Sequence, residues 1–394
     1  MPNSEKVILL HYGELWLRGH NRSNYIKALR NNLINLLNGE SYLLESQYDR
    51  IVLRLTPKSN TESMLSKLSY LFGISRYELA YETNADMNSI LTVSKKLLIE
   101  LKKTGATQVK IDAHRAFKGL AFNSLDIINK ISDLARSVDL KPAMHNYNSM
   151  LFIRVTKENA YIFSSSSKGI GGLPVSTSGK GIVLFSGGID SPVAAWYAMK
   201  RGVLPIYLHL HSYQNPNKIE NTKIPKILSI LSPYSSGMGQ KIYYVPAHIF
   251  QISAFSVDKK RCYEPVLMKA FLLRLAEKIA KKEGAGIIYT GESLGQVSSQ
   301  TVKNLAASQF GIKIPIARPL IGFDKEEIIS VAKRINTYNE SIKPYIDVCS
   351  TNVTKTNTSS DTKVITALLK KMRISELVKK SLKEAKIISN GQSY

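Results

Sequence analysis

The chain has 394 residues, which is enough for two or three domains that each bury a core of their own. It carries 54 lysines and arginines against 30 aspartates and glutamates, a formal net charge of +24. A positive surplus of that size favours a polyanionic partner such as a nucleic acid, because solubility alone does not require it. No apolar run is long enough to cross a bilayer and residues 1–4 do not begin a signal peptide, so a membrane role is not expected. The two cysteines lie far apart and predict a reducing, cytoplasmic setting without a disulfide framework.

Short apolar strands and amphipathic helices alternate through the first 167 residues. Up to residue 75, the pattern predicts strands over 7–10 and 51–55 and helices over 24–37 and 64–71. From 76 to 167 it predicts helices over 90–103 and 124–137 and strands over 108–112, 150–155 and 160–163. Both regions are therefore expected to be α+β. Residues 164–181, rich in serine and glycine, are expected to be the linker that follows.

A basic loop follows the strand predicted over 108–112. Residues 113–119 place Arg115 and Lys118 on either side of Phe117. Such a loop can bind RNA phosphates while the ring packs or stacks. A solvated basic loop without a ligand is the alternative interpretation.

Strands and helices alternate again after residue 181. The sequence predicts strands over 206–210, 242–245 and 286–289 and helices over 219–231, 266–282 and 325–335. This order is typical of a doubly wound parallel sheet, in which ligands bind at the carboxyl ends of the strands. Residues 364–388 predict one lysine-rich helix. Packing of that helix with a basic outer face is favoured over a position facing RNA.

The most informative stretch is 184–192, a turn rich in glycine and serine between an apolar strand and a helix. In that geometry, backbone N–H groups and the positive end of the helix converge on a phosphate. Gly187 and Gly188 let the backbone approach the anion, and Ser186 and Ser191 add hydroxyl donors. The turn is neither a Walker A loop nor a dinucleotide fingerprint, because the residue spacings of both are missing. An ordinary strand-to-helix turn is the alternative.

This turn, S-G-G-I-D-S over 186–191, resembles the PP-loop of ATP pyrophosphatases, which split ATP between its α and β phosphates. Three further stretches, 12–22, 289–301 and 317–325, are similar to the tRNA 4-thiouridine synthetase family, also called tRNA uridine sulfurtransferases. They occur in the family's order. The resemblance implies an α/β fold with three parts: a ferredoxin-like α+β domain over 1–75, a THUMP RNA-binding domain over 76–167, and a PP-loop ATP pyrophosphatase domain with a doubly wound parallel sheet over 168–394.

The resemblance also implies an ATP-dependent sulfurtransferase. ATP would adenylate O4 of a tRNA uridine, expected at position 8, and sulfur would then displace AMP to give 4-thiouridine. The implied cofactors are ATP and Mg²⁺. The implied partners are tRNA, a second copy of the chain in a homodimer, a persulfide-carrying protein or sulfide as sulfur donor, and a ThiS-like carrier if the protein also serves thiamine thiazole synthesis. Two other functions stay open: another PP-loop reaction on tRNA, such as lysidine or amidotransferase chemistry, and a tRNA-binding adaptor without catalysis.

The turn and the family's ATP contacts together assign the candidate site. The residues expected to bind ATP are Leu184, Phe185, Ser186, Gly187, Gly188, Asp190, Ser191, His209, Leu210, Lys269, Gly291 and Gln300. Asp190 is expected to be catalytic and to orient Mg²⁺ or Lys269. Cys349 is the expected sulfur-handling cysteine, and Cys262, next to three basic residues, is its rival. No rhodanese domain is expected, and two cysteines are too few for an iron–sulfur cluster, so no residues are assigned to a metal site.

Overall fold

The structure, a computed structural model, describes residues 4–213, 216–258, 261–345 and 356–390. The chain divides into two compact units. Unit 1 comprises Met1–Arg22, Leu37–Ser69 and Gly73–Gly171, and unit 2 comprises Ser23–Leu36, Tyr70–Phe72 and Gly172–Tyr394. Among the helices of the described residues, none is both long and apolar enough to cross a membrane.

The regular elements follow the predicted alternation of strands and helices. The strands in chain order are β1 (Glu5–Tyr12), β2 (Tyr42–Ser46), β3 (Arg50–Leu55), β4 (Ile74–Asn84), β5 (Gln108–Arg115), β6 (Lys141–Pro142), β7 (Ser149–Val155), β8 (Asn159–Phe163), β9 (Ser167–Lys168), β10 (Lys180–Leu184), β11 (Leu204–His211), β12 (Gln240–Pro246), β13 (Ala285–Tyr289), β14 (Ile316–Ala317) and β15 (Lys386–Asn390). The α-helices are α1 (Arg22–Leu36), α2 (Thr61–Leu68), α3 (Met87–Lys103), α4 (Ser124–Arg136), α5 (Asp190–Lys200), α6 (Lys223–Leu231), α7 (His248–Val257), α8 (Glu264–Glu283), α9 (Val302–Gln309), α10 (Lys325–Arg334), α11 (Tyr338–Ser341), α12 (Thr362–Lys371) and α13 (Ile374–Lys383).

Unit 1 is built on a mixed sheet with strand order β2-β3-β1-β4-β8-β7-β5-β6, to which β9 adds by pairing with β4. β4 pairs antiparallel with β1 and with β8, so one continuous sheet spans both predicted N-terminal regions. The sequence patterns predict neither β2 nor β4, and the domain boundary predicted at residue 75 falls inside β4 and stays a prediction. Asp86 and Asn123 cap α3 and α4 by accepting hydrogen bonds from backbone N–H groups of the first turn.

Unit 2 is built on a sheet with strand order β14-β13-β10-β11-β12-β15. The first five of these strands run parallel, which confirms the predicted parallel sheet. Ile182 and Ile288 on the strands share one buried core with Phe271 of α8. α8 ends at Glu283, because the left-handed conformation of the next residue, Gly284 (φ +68°), stops the helix. Unit 2 therefore supplies the parallel strand ends at which a ligand site is expected.

The prediction of one helix over 364–388 is wrong. α12 ends at Lys371 and α13 begins at Ile374, with Arg373 between them in the left-handed conformation (φ +50°). The last residues form β15, which pairs antiparallel with β12 at the edge of the sheet. The favoured packing is nevertheless present, because Ile365, Leu369 and Val378 are buried in the core of unit 2. Exposed lysines form the outer side, namely Lys363, Lys370, Lys371, Lys379, Lys380 and Lys383.

The helix predicted over 219–231 is also shorter than expected. Pro216–Asn221 is a 3₁₀ segment, and α6 begins after Thr222, whose hydroxyl accepts a hydrogen bond from the Ile224 N–H. A threonine that caps the backbone in this way starts a helix rather than continuing one.

Candidate functional site

A cavity of about 380 Å³ lies in unit 2, at the carboxyl ends of β10 and β11 and beside the residues that follow β13. Its apolar wall includes Leu184, Leu208, Leu210, Met268 and Leu272. Its polar wall includes Ser186, Asp190, Ser191, Lys269, Gly291, Glu292, Ser298, Ser299 and Gln300. One wall suits an apolar ring and the other suits an anion, as a nucleotide requires.

Most residues predicted to bind ATP line this cavity. They are Leu184, Phe185, Ser186, Asp190, Ser191, Leu210, Lys269, Gly291 and Gln300. The structure thus brings together residues that lie more than 100 positions apart in the sequence. Gly187 and Gly188 lie in the turn that enters α5, and His209 is described below.

The glycine-rich turn joins β10 to α5. The Ser191 hydroxyl accepts hydrogen bonds from the backbone N–H groups of Ser186 and Gly187, both at 3.2 Å. The Ser186 hydroxyl accepts one from the Gly188 N–H at 3.3 Å. Gly187 has a φ of +80°, and an added Cβ would lie 2.3 Å from Ile224 Cδ1, so glycine is required there. The N–H groups are gathered beside the N-terminus of α5, which is the arrangement of an anion-binding turn.

Asp190 is the first residue of α5, where the helix dipole favours a negative charge. Its Oδ1 lies 2.7 Å from Lys325 Nζ, and its Oδ2 accepts a hydrogen bond from Gln296 Nε2 at 3.0 Å. Lys269, one of the two partners expected for Asp190, pairs with Glu292 instead. Lys325 and Gln296 belong to the stretches that resemble the family, but the sequence alone did not indicate this contact.

Glu292 is a buried carboxylate in the polar wall, to which the sequence analysis assigns no role. Its Oε2 lies 2.8 Å from Arg318 Nε and accepts a hydrogen bond from Thr290 Oγ1 at 2.8 Å, and its Oε1 lies 3.3 Å from Lys269 Nζ. Burial alone would raise the pKa of Glu292, but Lys269, Arg318 and the Thr290 hydroxyl hold that pKa below its ordinary value. The carboxylate is therefore ionised and anchors two cations beside the cavity.

Gly291 brings the chain after β13 close to the start of α5. A Cβ at this position would lie 3.0 Å from the carbonyl carbon of Asp190 and 3.0 Å from the nitrogen of Ser191. Both atoms are backbone atoms of the turn and helix that form the polar wall. Glycine is therefore needed for this close approach.

The turn over 298–300 is fixed by two amide side chains. Gln300 Oε1 accepts a hydrogen bond from the Ser293 N–H at 3.3 Å. The buried Asn304 Nδ2 donates to the carbonyl oxygens of Ser298 and Asn357 at 2.6 and 2.7 Å. A buried amide with these partners holds the wall of the cavity in one conformation.

His209 is buried and is not among the described residues that line the cavity. Its Nδ1 donates to the Phe185 carbonyl oxygen at 2.7 Å, because a carbonyl can only accept. Its Nε2 must then accept from the Tyr345 hydroxyl, also at 2.7 Å. Burial lowers the pKa of His209 to about 4, so the ring is neutral at pH 7. The side chain supports the strand end that holds Phe185, and a contact of His209 with ATP stays a prediction.

Of the two cysteines, only Cys262 belongs to the described residues. Cys349 lies outside the described residues. Cys262 is half-buried, with its Sγ 3.7 Å from Asp258 Oδ1, and its carbonyl oxygen accepts a hydrogen bond from the Asn357 N–H at 3.0 Å. Over the described ranges, no cluster of three or more His, Cys, Asp and Glu side chains could hold a metal ion.

The two basic residues predicted to bind RNA lie in unit 1 and differ in their surroundings. The Arg115 guanidinium donates to the carbonyl oxygens of Leu120, at 3.1 Å, and of Phe122, so it holds the basic loop together. Lys118 is exposed. β5 extends to Arg115, so the loop begins later than predicted. The contacts of Arg115 and Lys118 with RNA stay predictions.

Comparisons with known proteins agree with this geometry. Residues 176–374 match the family model described as "Thiamine biosynthesis protein (ThiI)", and residues 7–77 match "ThiI ferredoxin-like domain". A protein named "Probable tRNA sulfurtransferase" from Caldanaerobacter subterraneus subsp. tengcongensis is 34% identical over 89% of this chain and 90% of its own length. The protein of the same name from Natranaerobius thermophilus is 34% identical over 96% of this chain and 95% of its own length.

A solved structure described as a 4-thiouridine synthetase–RNA complex with bound ATP covers 98% of this chain and 99% of its own, with a TM-score of 0.88 and 31% identity. The agreement extends over both units and both family models, in the order that the sequence stretches predict. The chain therefore belongs to the ThiI family, whose relatives compared above are named tRNA sulfurtransferases.

Proposed function

We propose that this chain is an ATP-dependent tRNA sulfurtransferase that converts a tRNA uridine, expected at position 8, to 4-thiouridine. The observation that supports it most is the cavity of unit 2, where an anion-binding turn, a lysine and an apolar wall meet at the ends of parallel strands. The relative solved with RNA and ATP, which matches nearly the whole chain, adds to this support.

The adenine ring would lie against the apolar wall, and the phosphates would face the turn over 186–189 and Lys269. The uridine O4 then attacks the α-phosphate, the bond to the β-phosphate breaks, and pyrophosphate leaves. Negative charge grows on the phosphates in this step. Hydroxyl donors and cations held beside the phosphates lower its barrier, and Ser186, Ser191 and Lys269 of the cavity wall would supply them. The protein's main contribution in this step is the arrangement of donors and cations in the polar wall.

Mg²⁺ commonly binds through one or two carboxylates together with substrate phosphates. Asp190 offers one carboxylate in the polar wall, so the residues present fit such an ion on the phosphates of ATP. When bound, Mg²⁺ would neutralise charge on the leaving pyrophosphate. Asp190 itself would keep Lys325 and Gln296 in place at the start of α5.

Sulfur then adds to C4 of the adenylated uridine, and AMP leaves with the former O4. With sulfide as donor, this single displacement gives 4-thiouridine. With a persulfide on Cys349, the terminal sulfur forms the bond to C4, and a second thiol must then cleave the S–S bond and become part of a disulfide. We propose Cys349 as the sulfur-handling residue, with Cys262 as its rival for that role.

Unit 1 would bind the tRNA, in line with its predicted THUMP domain over 76–167 and the exposed Lys118. The net charge of +24 would steer the polyanion to the protein. The remaining partners are proposed from the family alone: a second copy of the chain in a homodimer, a persulfide-carrying protein or sulfide as donor, and a ThiS-like carrier. A cytoplasmic location is proposed on the same basis.

Purified chain incubated with tRNA, ATP and sulfide tests the proposal. We expect AMP and pyrophosphate to form only when tRNA is present, with 4-thiouridine in the digested tRNA. AMP and pyrophosphate without thiolation would favour another PP-loop reaction, and tRNA binding without AMP would favour an adaptor. In the same assay, Cys349→Ser and Cys262→Ser are compared with sulfide and with a persulfide donor. Loss with the persulfide in Cys349→Ser alone supports Cys349, and normal activity of both variants with both donors contradicts a carrier role for either thiol.

A further inference from the structure

The two carboxylate oxygens of Glu292 differ in the number and the distance of their partners. Oε2 is shared by Arg318 Nε and the Thr290 hydroxyl, each at 2.8 Å. Oε1 lies 3.3 Å from Lys269 Nζ and makes no hydrogen bond within the described residues. Lys269 is therefore the more loosely held of the two cations.

The two cations also differ in position. Lys269 lines the cavity, whereas Arg318 is not among the described residues that line it. A second contact also fixes Arg318: its Nε binds Glu292, and its Nη2 donates to Gln309 Oε1 at 3.0 Å. Arg318 thus faces the carboxylate, and Lys269 faces both the carboxylate and the space where phosphates would lie.

From this asymmetry we infer that Glu292 is a positioning residue for Lys269, and that Arg318 lets Lys269 exchange the carboxylate for a phosphate of ATP. The inference rests on the proposed function, because it requires ATP in the cavity. A buried carboxylate that lost its only cation would be strongly destabilised. Because Arg318 and Thr290 stay bound to Glu292, Lys269 can leave it without producing an unpaired buried charge.

This arrangement predicts that replacing Arg318 weakens ATP binding and that replacing Glu292 does not. Without Arg318, Glu292 must keep Lys269, so Arg318→Gln should raise the Kd for ATP at least fivefold. Without the carboxylate charge, Lys269 has no competing anion, so Glu292→Gln should leave the Kd unchanged or lower. The decisive variant combines both changes. In the Glu292→Gln background, Arg318→Gln should change the Kd by less than twofold, because the competitor is already gone.

The experiment measures the Kd for ATP of the full chain by calorimetry, without tRNA, together with kcat for AMP formation with tRNA. Arg318→Gln should lower kcat about tenfold, since Lys269 then stays on Glu292 instead of moving to the phosphates. Glu283→Gln is the matched control: Glu283 is also largely buried and bound to a lysine and a hydroxyl, Lys241 and Tyr243, at the opposite end of α8. It should leave both quantities within twofold of the unmodified chain.

Equal weakening by Arg318→Gln in both backgrounds would overturn the inference, as would a Kd that rises fivefold or more in Glu292→Gln. Failure of the unmodified chain to bind ATP would instead contradict the proposed function. If Arg318→Gln does not fold, the double variant still decides, because it removes the buried carboxylate together with the arginine that binds it. A Kd for the double variant well above that of Glu292→Gln would then contradict the competition between Glu292 and phosphate.

Discussion

Gly291 offers a direct test of how closely the chain after β13 must approach α5. In Gly291→Ala, the new Cβ would lie 3.0 Å from two backbone atoms, the carbonyl carbon of Asp190 and the nitrogen of Ser191. Non-bonded carbon atoms prefer a separation of about 3.5 Å or more, so the first turn of α5 must move by about half an ångström. Such overpacking typically costs about 1–3 kcal/mol of folding free energy. A misplacement of about 1 Å can cost about 100-fold in rate, so half of that displacement predicts about tenfold.

The assay is kcat/KM for tRNA-dependent AMP formation, measured beside thermal unfolding. Gly286→Ala is the matched control, because Gly286 also belongs to unit 2 and a Cβ there meets open space. We expect a loss of about tenfold for Gly291→Ala and a loss below twofold for the control. Activity of Gly291→Ala within twofold of the control, at equal stability, would show that the close approach of Gly291 to α5 does not shape the site.

Three further changes have distinct expected results. Asp190→Ala should abolish pyrophosphate release from ATP in the presence of tRNA with little change in thermal unfolding, since its partner Lys325 is partly exposed; near-normal turnover would rule out this role. Lys118→Ala should make the fall of log Kobs for tRNA with log salt less steep by about one, without changing ATP binding. Arg115→Ala should have the same effect and should also destabilise unit 1, because two loop carbonyls lose their donor. An unchanged slope for Lys118→Ala would identify a solvated loop. Burial lowers the pKa of His209 and of His211 to about 4. Below pH 6.5 the unfolded chain therefore binds more protons than the folded chain. The free energy of unfolding should decrease as the pH is lowered, by about 2 kcal/mol per ring at pH 5. Urea unfolding at pH 7 and pH 5 should therefore show a smaller loss in a chain with both histidines replaced by asparagine, and equal losses would contradict the buried neutral rings.

The parallel sheet of unit 2 could be predicted because each of its central strands is a short apolar run followed by a helical pattern. The C-terminal segment could not, because its residues keep helical spacing through a break that depends on one left-handed residue, Arg373. The strand at Lys386–Asn390 depends on pairing with β12, which lies about 140 positions earlier and which local spacing does not reveal.

Part of the candidate site could likewise be predicted from the sequence, and part could not. Residues in the turn over 186–191 could be assigned from their own chemistry, because glycine, serine and a following helix suffice to indicate an anion site. The cluster of Lys269, Glu292 and Arg318 could not, because it joins three separate elements through side chains. The contacts of Arg115 inside its own loop could not be predicted either, because the carbonyl groups that it binds have no signature in the sequence.

The most direct test of tRNA thiolation is mass spectrometry of tRNA nucleosides from cells that lack the gene for this chain. We predict that 4-thiouridine is absent from their tRNA and returns when the unmodified chain is supplied, but not when the Asp190→Ala variant is supplied. Retention of 4-thiouridine in the cells without the gene would contradict the proposed function.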